Sequence, residues 1–128
     1  MPDLNHIKYL SNNQKEIKEP IIIIGSKEYD FDKFIFLYEL EKMGFKNITG
    51  IDIQVGYGVD VVLDICDTKN NYFNKFKNYY NTAICMQTLY AVSNPFDAAK
   101  NISRLMNHNA TLFFSIGAPT SVIAILLG

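Results

Sequence analysis

The sequence predicts an α/β fold, a Rossmann-like three-layer sandwich with a mostly parallel sheet of about five strands. Four consecutive isoleucines, Ile21 to Ile24, stop at Gly25. Such a β-branched run is typical of a strand buried on both faces in a parallel sheet. Further strand-like runs alternate with helix-like segments, which favours right-handed crossovers between parallel strands. The second of these runs ends at Asp52, where nucleotide-binding α/β folds hold a ribose hydroxyl with an acidic residue.

The segment after the first strand predicts a helix and then two more strands. Asp30 or Asp32 can cap the helix, because a short acidic side chain accepts hydrogen bonds from free amides. Gly44 follows the last helical residues as a C-cap glycine. Ile48–Ile53 then predicts the second strand and Val59–Ile65 the third.

A helix capped by Thr68 and a fourth strand, Thr82–Met86, are expected next. The apolar side of this helix would carry four aromatic residues, namely Tyr72, Phe73, Phe76 and Tyr80.

Asn94 and Pro95 begin the last predicted helix, with asparagine at the cap and proline in the first turn. This helix runs to about Met106. A turn at residues 107–109 leads into the fifth strand, Ala110–Ile116.

The end of the chain predicts a domain truncated at its C-terminus. Residues 120–128 can form one short strand or helix, and the fifth strand would then expose an edge or need a partner to cover it. A homo-oligomer through this exposed sheet edge is one expected consequence. Residues 1–19 are predicted as a polar lead-in that can carry a short helix, and residues 20–128 as the Rossmann-like domain.

The composition favours a single globular domain in the cytoplasm. The chain has 128 residues, 48% of them hydrophobic and 20% charged, and a net charge of −1. This balance predicts no nucleic-acid partner. Cys66 and Cys85 lie far apart without a CxxC pattern, so no metal site is expected. No apolar run is long enough to span a bilayer, and the N-terminus lacks a signal-peptide pattern.

Four features stand in a definite order: Gly25 after the first strand, Asp52 after the second, the run Val59–Asp67, and Asn94-Pro95. In this order they resemble the class I S-adenosylmethionine-dependent methyltransferases, in particular the small type 11-like domains. The resemblance covers residues 20–116. It implies S-adenosylmethionine as the cofactor and methyl transfer to an acceptor that the sequence does not identify.

The resemblance also implies cofactor-binding residues. Gly25 matches the first glycine of the family's GxGxG loop, which approaches the methionine part, and Ser26 adds a polar group there. Asp52 matches the acid that accepts both ribose hydroxyls, and Ile53 matches the apolar position beside adenine.

Three further positions follow the same pattern. Asp64 matches the acid near the adenine amino group, and Ile65 would add a backbone or apolar contact. Met86 lies where the end of the fourth strand faces cofactor and acceptor. No catalytic side chain is predicted, since the cofactor itself carries the activated group.

Two departures leave the activity open. Ile23 stands where the family has an acid, and Lys27 stands at the second glycine. An inactive, truncated interaction or oligomerisation module is therefore an alternative, as is a Rossmann domain for another adenine nucleotide.

Each candidate also has a structural interpretation. Gly25 suits a plain turn, Asp52 a solvent-exposed or capping acid, and Asp64 or Asp67 a helix cap. His6 is predicted to be a surface residue.

Overall fold

The computed structural model describes residues 4–28, 36–86, 92–115 and 122–127, without the side chains of residues 4 and 122–127. The chain builds one six-stranded sheet with helices on both faces. Its elements are α1 (Leu4–Asn12), β1 (Ile21–Ile24), α2 (Phe36–Lys42), β2 (Ile48–Asp52), β3 (Val61–Val62), α3 (Tyr72–Lys75), β4 (Tyr80–Met86), α4 (Pro95–Leu105), β5 (Met106–Ser115) and β6 (Val122–Leu127).

The sheet has the order β3-β2-β1-β4-β5-β6. Strands β1 to β5 are parallel, and β6 is antiparallel to β5. The predicted Rossmann-like α/β fold with a mostly parallel sheet is therefore confirmed.

Strand β1 lies at the centre of this sheet and is buried on both faces, as its four isoleucines predict. Ile22 and Ile24 pack in a core cluster with side chains of α3 and α4. Ile21 and Ile23 face the opposite cluster, which contains side chains of α1 and α2. One cluster therefore lies between the sheet and each of the two helical layers.

The third strand is shorter than predicted, covering Val61–Val62 rather than Val59–Ile65. The preceding residues form a turn in which the amide of Val59 donates to the carbonyl of Gly56. Asp60 then bonds to Gly50 through both backbone and side chain. These bonds attach the end of the turn to β2, and strand pairing with β2 then runs from Val61 to Val62.

The helix after β3 is also shorter than the aromatic spacing predicts. α3 is a single turn preceded by Asn71 rather than Thr68, and Tyr80 begins β4. The helix ends at Lys75 with Phe76 as its C-cap, and Asn78, with a positive φ of 56°, lies in the turn that leads to β4. The aromatic cluster still forms, with the hydroxyls of Tyr72 and Tyr80 at 2.6 Å.

The predicted start of α4 is confirmed, since the side chain of Asn94 accepts from the amide of Asp97 and Pro95 opens the helix. The turn predicted at residues 107–109 is wrong. β5 follows α4 directly, and a register shift against β4 between Tyr80 and Thr82 absorbs the irregular backbone.

The segment predicted as a polar lead-in contributes to the core. Ile7, Leu10 and Ile17 are buried against β1 and α2. His6 is buried, so its predicted surface position is wrong; its Nε2 lies 3.1 Å from the Oγ of Ser115. α1 places the histidine on its apolar face, one turn before Leu10. The boundary between residues 19 and 20 stays a prediction.

The edge of the fifth strand is covered, contrary to the sequence-based expectation. β6 pairs along β5 from Ala110–Leu127 to Ser115–Val122. The outer strands of the sheet are therefore β3 and β6, and a homo-oligomer stays a prediction. The predicted caps Asp30 and Asp32 lie outside the described residues. Within the described part of the chain, no helix has the length and apolarity needed to cross a membrane.

Two phenylalanines allow a matched test of this core. Phe113 is fully buried on β5, whereas Phe96 is 86% exposed on α4. We expect Phe113→Ala to lower the free energy of unfolding by about 3–5 kcal/mol, because it removes a large side chain and leaves a cavity. Phe96→Ala should change it by less than about 0.5 kcal/mol. Urea denaturation followed by circular dichroism measures both, and similar losses in the two variants would contradict the assigned core.

Candidate functional site

The candidate site lies at the carboxyl ends of β1 and β2. Ile24 pairs with Ile51, so Gly25 and Asp52 follow side by side at one edge of the sheet. From β1 the chain adds β2 and β3 on one side of the sheet and then β4 and β5 on the other. The switch point of the sheet therefore lies between β1 and β4. Open α/β sheets bind ligands at such a switch point.

Gly25 turns the chain sharply as it leaves β1. Its φ is 72°, a left-handed conformation that glycine adopts without the steric cost of a Cβ. The amides of Gly25 and Ser26 both donate to the carbonyl of Ile51, at 2.9 and 3.0 Å. The first residues of the loop are therefore held tightly against β2.

Asp52 connects the loops that follow β1 and β2. Its Oδ2 accepts from the amide of Lys27 and its Oδ1 from the amide of Gln54, each at 3.0 Å. The side chain is partly exposed. Asp52 therefore has a structural role, and part of its side chain is still accessible to solvent.

Lys27, at the family's second glycine position, lies across the loop after β2. Its Nζ donates to the Oε1 of Gln54 at 2.9 Å. Its stem lies so close to Gly56 that a Cβ added there would come within 2.9 Å of the Lys27 Cε. The lysine thus fills space that a glycine would leave open.

Ser26 packs on a glycine of β2 and is 7% exposed. A Cβ on Gly50 would lie 2.6 Å from the Ser26 Oγ and would overlap the carbonyl oxygen of Gly58. Among the described residues, the Ser26 Oγ has no hydrogen-bond partner. A buried hydroxyl without a partner is costly to the fold, and a ligand that bonded to it would recover that cost.

Ile53 and Asp64 lie at the surface beside Asp52. Ile53 is 64% exposed, and Asp64 is exposed two residues beyond the end of β3. The Oδ1 of Asp64 accepts from the amide of Cys66 at 2.9 Å, and that of Asp67 accepts from the amide of Lys69 at 3.2 Å. Both bonds stabilise local turns rather than capping α3.

Ile65 and Met86 have interior side chains. Ile65 packs in the cluster under α3 and α4, and its carbonyl accepts from the Nδ2 of Asn101 at 2.8 Å. Met86, at the end of β4, is buried in the opposite cluster. The structure therefore brings Gly25, Ser26 and Asp52 together at the sheet edge. Ile53 and Asp64 lie at the surface beside them, whereas the side chains of Ile65 and Met86 are buried in the core.

The family's acidic position on β1 lies in the core. Ile23 is buried and pairs with Gly50 on one side and Ile84 on the other. Asp52 and Ile53 fit the adenosine part of S-adenosylmethionine, because the first offers a carboxylate to the ribose and the second an exposed apolar side chain to the base. Ile23 offers no charge to the methionine ammonium.

Glu28 supplies a polar group from the loop after β1, as its place beside Ser26 and Lys27 in the sequence allows. Its Oε1 accepts from the amides of Phe36 and Leu37, at 2.9 and 3.2 Å, in the first described turn of α2. Burial raises the pKa of this carboxyl group, and the two amide bonds oppose that shift. An acidic residue shortly before a helix was the sequence signal that could have indicated this cap.

Two other observations limit the chemistry of the site. The His6–Ser115 pair is a contact that chain spacing could not reveal, since its partners lie on α1 and β5. Both residues are buried, so the pair joins the two elements in the interior. Across the described ranges, no three His, Cys, Asp or Glu side chains group closely enough to hold a metal ion.

No family model and no curated protein matches the sequence. Among solved structures, the protein is similar to the [4+2]-cyclase SpnF, with a TM-score of 0.59 and 14% identity over 87% of this chain. The chain spans 44% of the length of that protein. A likeness at this identity shows the fold alone, which here is the Rossmann-like α/β sandwich.

The unpartnered hydroxyl of Ser26 predicts a stability gain when it is removed. We expect Ser26→Ala to raise the free energy of unfolding by about 1 kcal/mol, because it deletes a buried, unsatisfied polar group. Ser93→Ala, which removes an exposed loop hydroxyl, should leave the free energy unchanged. Thermal denaturation of the two variants checks this, and a destabilised Ser26→Ala protein would show that the hydroxyl has a partner.

Proposed function

We propose that the protein binds S-adenosylmethionine at the carboxyl ends of β1, β2 and β3 and transfers its methyl group to an acceptor in the cytoplasm. The observation that carries this proposal is the position of Asp52. Its carboxylate is partly exposed, directly beside the left-handed turn at Gly25 and next to the switch point of the sheet.

Asp52 can hold a ribose while it keeps its present bonds. A carboxylate oxygen has two lone pairs, and each oxygen of Asp52 accepts one amide within the protein. One acceptor position per oxygen is left for the two ribose hydroxyls. The loop after β1 therefore need not open to admit the sugar.

Neighbouring side chains would supply other contacts with the cofactor. Ile53 offers an apolar surface to the base, and Asp64 offers a carboxylate oxygen to its amino group. The hydroxyl of Ser26, in the loop after β1, is a buried hydrogen-bond donor. Together these groups would orient the cofactor at the sheet edge.

The bound cofactor supplies a methyl group activated by attachment to a sulfonium. The chain then has to bind and orient this group and the acceptor, which accounts for a large part of such rate enhancements. No side-chain acid or base is required of the residues around Asp52.

A second candidate function is an inactive, methyltransferase-like interaction or oligomerisation module. It is favoured by the buried Ile23 and by the Lys27 stem that fills the loop. The exposed apolar side chains of Ile53, Val55 and Tyr57 also suit a protein contact.

Calorimetric titration with S-adenosylmethionine and S-adenosylhomocysteine distinguishes the two candidates. We expect binding by the wild type and at least about tenfold weaker binding by Asp52→Ala, since hydrogen bonds to a charged acceptor are lost. Asp52→Asn keeps one carbonyl acceptor and should show an intermediate affinity.

The matched control is Glu41→Gln, which removes an exposed carboxylate from α2 and should bind like the wild type. Thermal denaturation of each variant separates a loss of ligand contacts from a loss of the fold. A folded wild-type protein that gives no heat of binding at millimolar ligand would support the interaction module instead.

A further inference from the structure

The segment that joins β2 to β3 has a polar inner side and an apolar outer side. On the inner side, Gln54 accepts from the ammonium of Lys27 at 2.9 Å. A Cβ on Gly56 would lie 2.9 Å from the Cε of the same lysine, so this residue also packs on the loop after β1. The residues that alternate with them, Val55 and Tyr57, are 79% and 67% exposed. The segment therefore presents its apolar side chains to solvent.

The outer strand of the sheet extends this apolar surface. Val62 pairs with Asp52, the residue at which β2 ends and the segment begins, and its side chain is exposed. We call the side chains of Val55, Tyr57 and Val62 the β3 patch. Single exposed apolar residues are common, whereas several along one edge of a sheet indicate a surface that binds a partner.

Carboxylates flank the β3 patch. Asp60 and Asp64 are exposed on either side of Val62 in the chain, and each uses one oxygen to accept a backbone amide. Within the described residues, neither carboxylate is in an ion pair. The stretch 47–68 contains four aspartates and no lysine, arginine or histidine. Lys27 lies on the inner side of the segment, so the outer side keeps a negative charge.

These carboxylates distinguish between the partners that could cover an apolar patch. In a symmetric pair of copies joined here, the carboxylates of one copy would approach those of the other, and facing like charges disfavour such an interface. A phosphate backbone or an anionic membrane is repelled for the same reason. A protein segment with lysine or arginine beside apolar residues fits both features, because it covers the patch and brings cations to the carboxylates.

We propose that the β3 patch binds a protein segment in which apolar residues are flanked by lysine or arginine. Tyr57 is the main anchor, since exposed tyrosines that become buried in an interface often dominate its binding energy. Asp60 and Asp64 orient the segment and speed its association. This inference goes beyond the proposed function and needs no cofactor. Because Val55 and Tyr57 have no assigned contact with adenosine, either proposal can fail without the other.

A random peptide library displayed on phage is the probe, with the full chain as the immobilised target. We expect the selected peptides to be enriched in lysine or arginine next to apolar residues. Fluorescence anisotropy with these peptides should show at least about tenfold weaker binding to Val55→Ser/Tyr57→Ser, because the anchoring side chains are lost. Asp60→Asn keeps an acceptor oxygen and should reduce the salt dependence of binding, because one charge is removed.

The matched control is Tyr38→Ser, which removes an exposed tyrosine from α2 and should bind like the wild type. Circular dichroism checks the fold of each variant, and Val62→Ser gives a second comparison if the double variant does not fold. The inference is overturned by a selection that yields no binder, by acidic peptides, or by equal binding to the folded patch variants. It is also overturned if ultracentrifugation shows a wild-type dimer that Tyr57→Ser dissociates, because a second copy would then occupy the patch.

Discussion

The close contact between the loop after β1 and the end of β2 is the constraint on which the candidate site depends. Ser26 lies against Gly50, where even one added carbon would overlap its Oγ. The next residue donates its amide to Asp52. These two contacts fix the distance between the loop and the carboxylate, so the position of Asp52 relative to the loop is set by close packing and a backbone hydrogen bond.

This contact exists because β1 is held rigidly from both sides. Its isoleucines pack under α1 and α2 on one face and under α3 and α4 on the other. Because Ile24 pairs with Ile51, a strand fixed in this way places Gly25 next to the end of β2. The left-handed turn at that glycine then directs the loop across the sheet edge instead of outward.

The acidic residues at this edge have structural roles, and Asp52 also has the recognition role proposed above. Glu28 satisfies amides of α2, and Asp52 joins two loops while part of its carboxylate faces solvent. Such use of one group for both tasks pre-organises it, because its orientation is set before a ligand arrives. It also explains how a loop without the second family glycine can keep its shape, since Lys27 contributes a backbone amide and a side-chain contact.

The sequence by itself determined the fold class, β1, the start of α4 and the placement of Gly25 and Asp52 at one sheet edge. These follow from local signals: the isoleucine run, the Asn94-Pro95 cap and an acid at a strand end. Tertiary structure decided the length of β3, the burial of His6, the pairing of β6 and the engagement of Asp52 by Lys27. Each of these depends on residues distant in the chain meeting in space, and no local periodicity records which distant partner completes a hydrogen bond or covers a side chain.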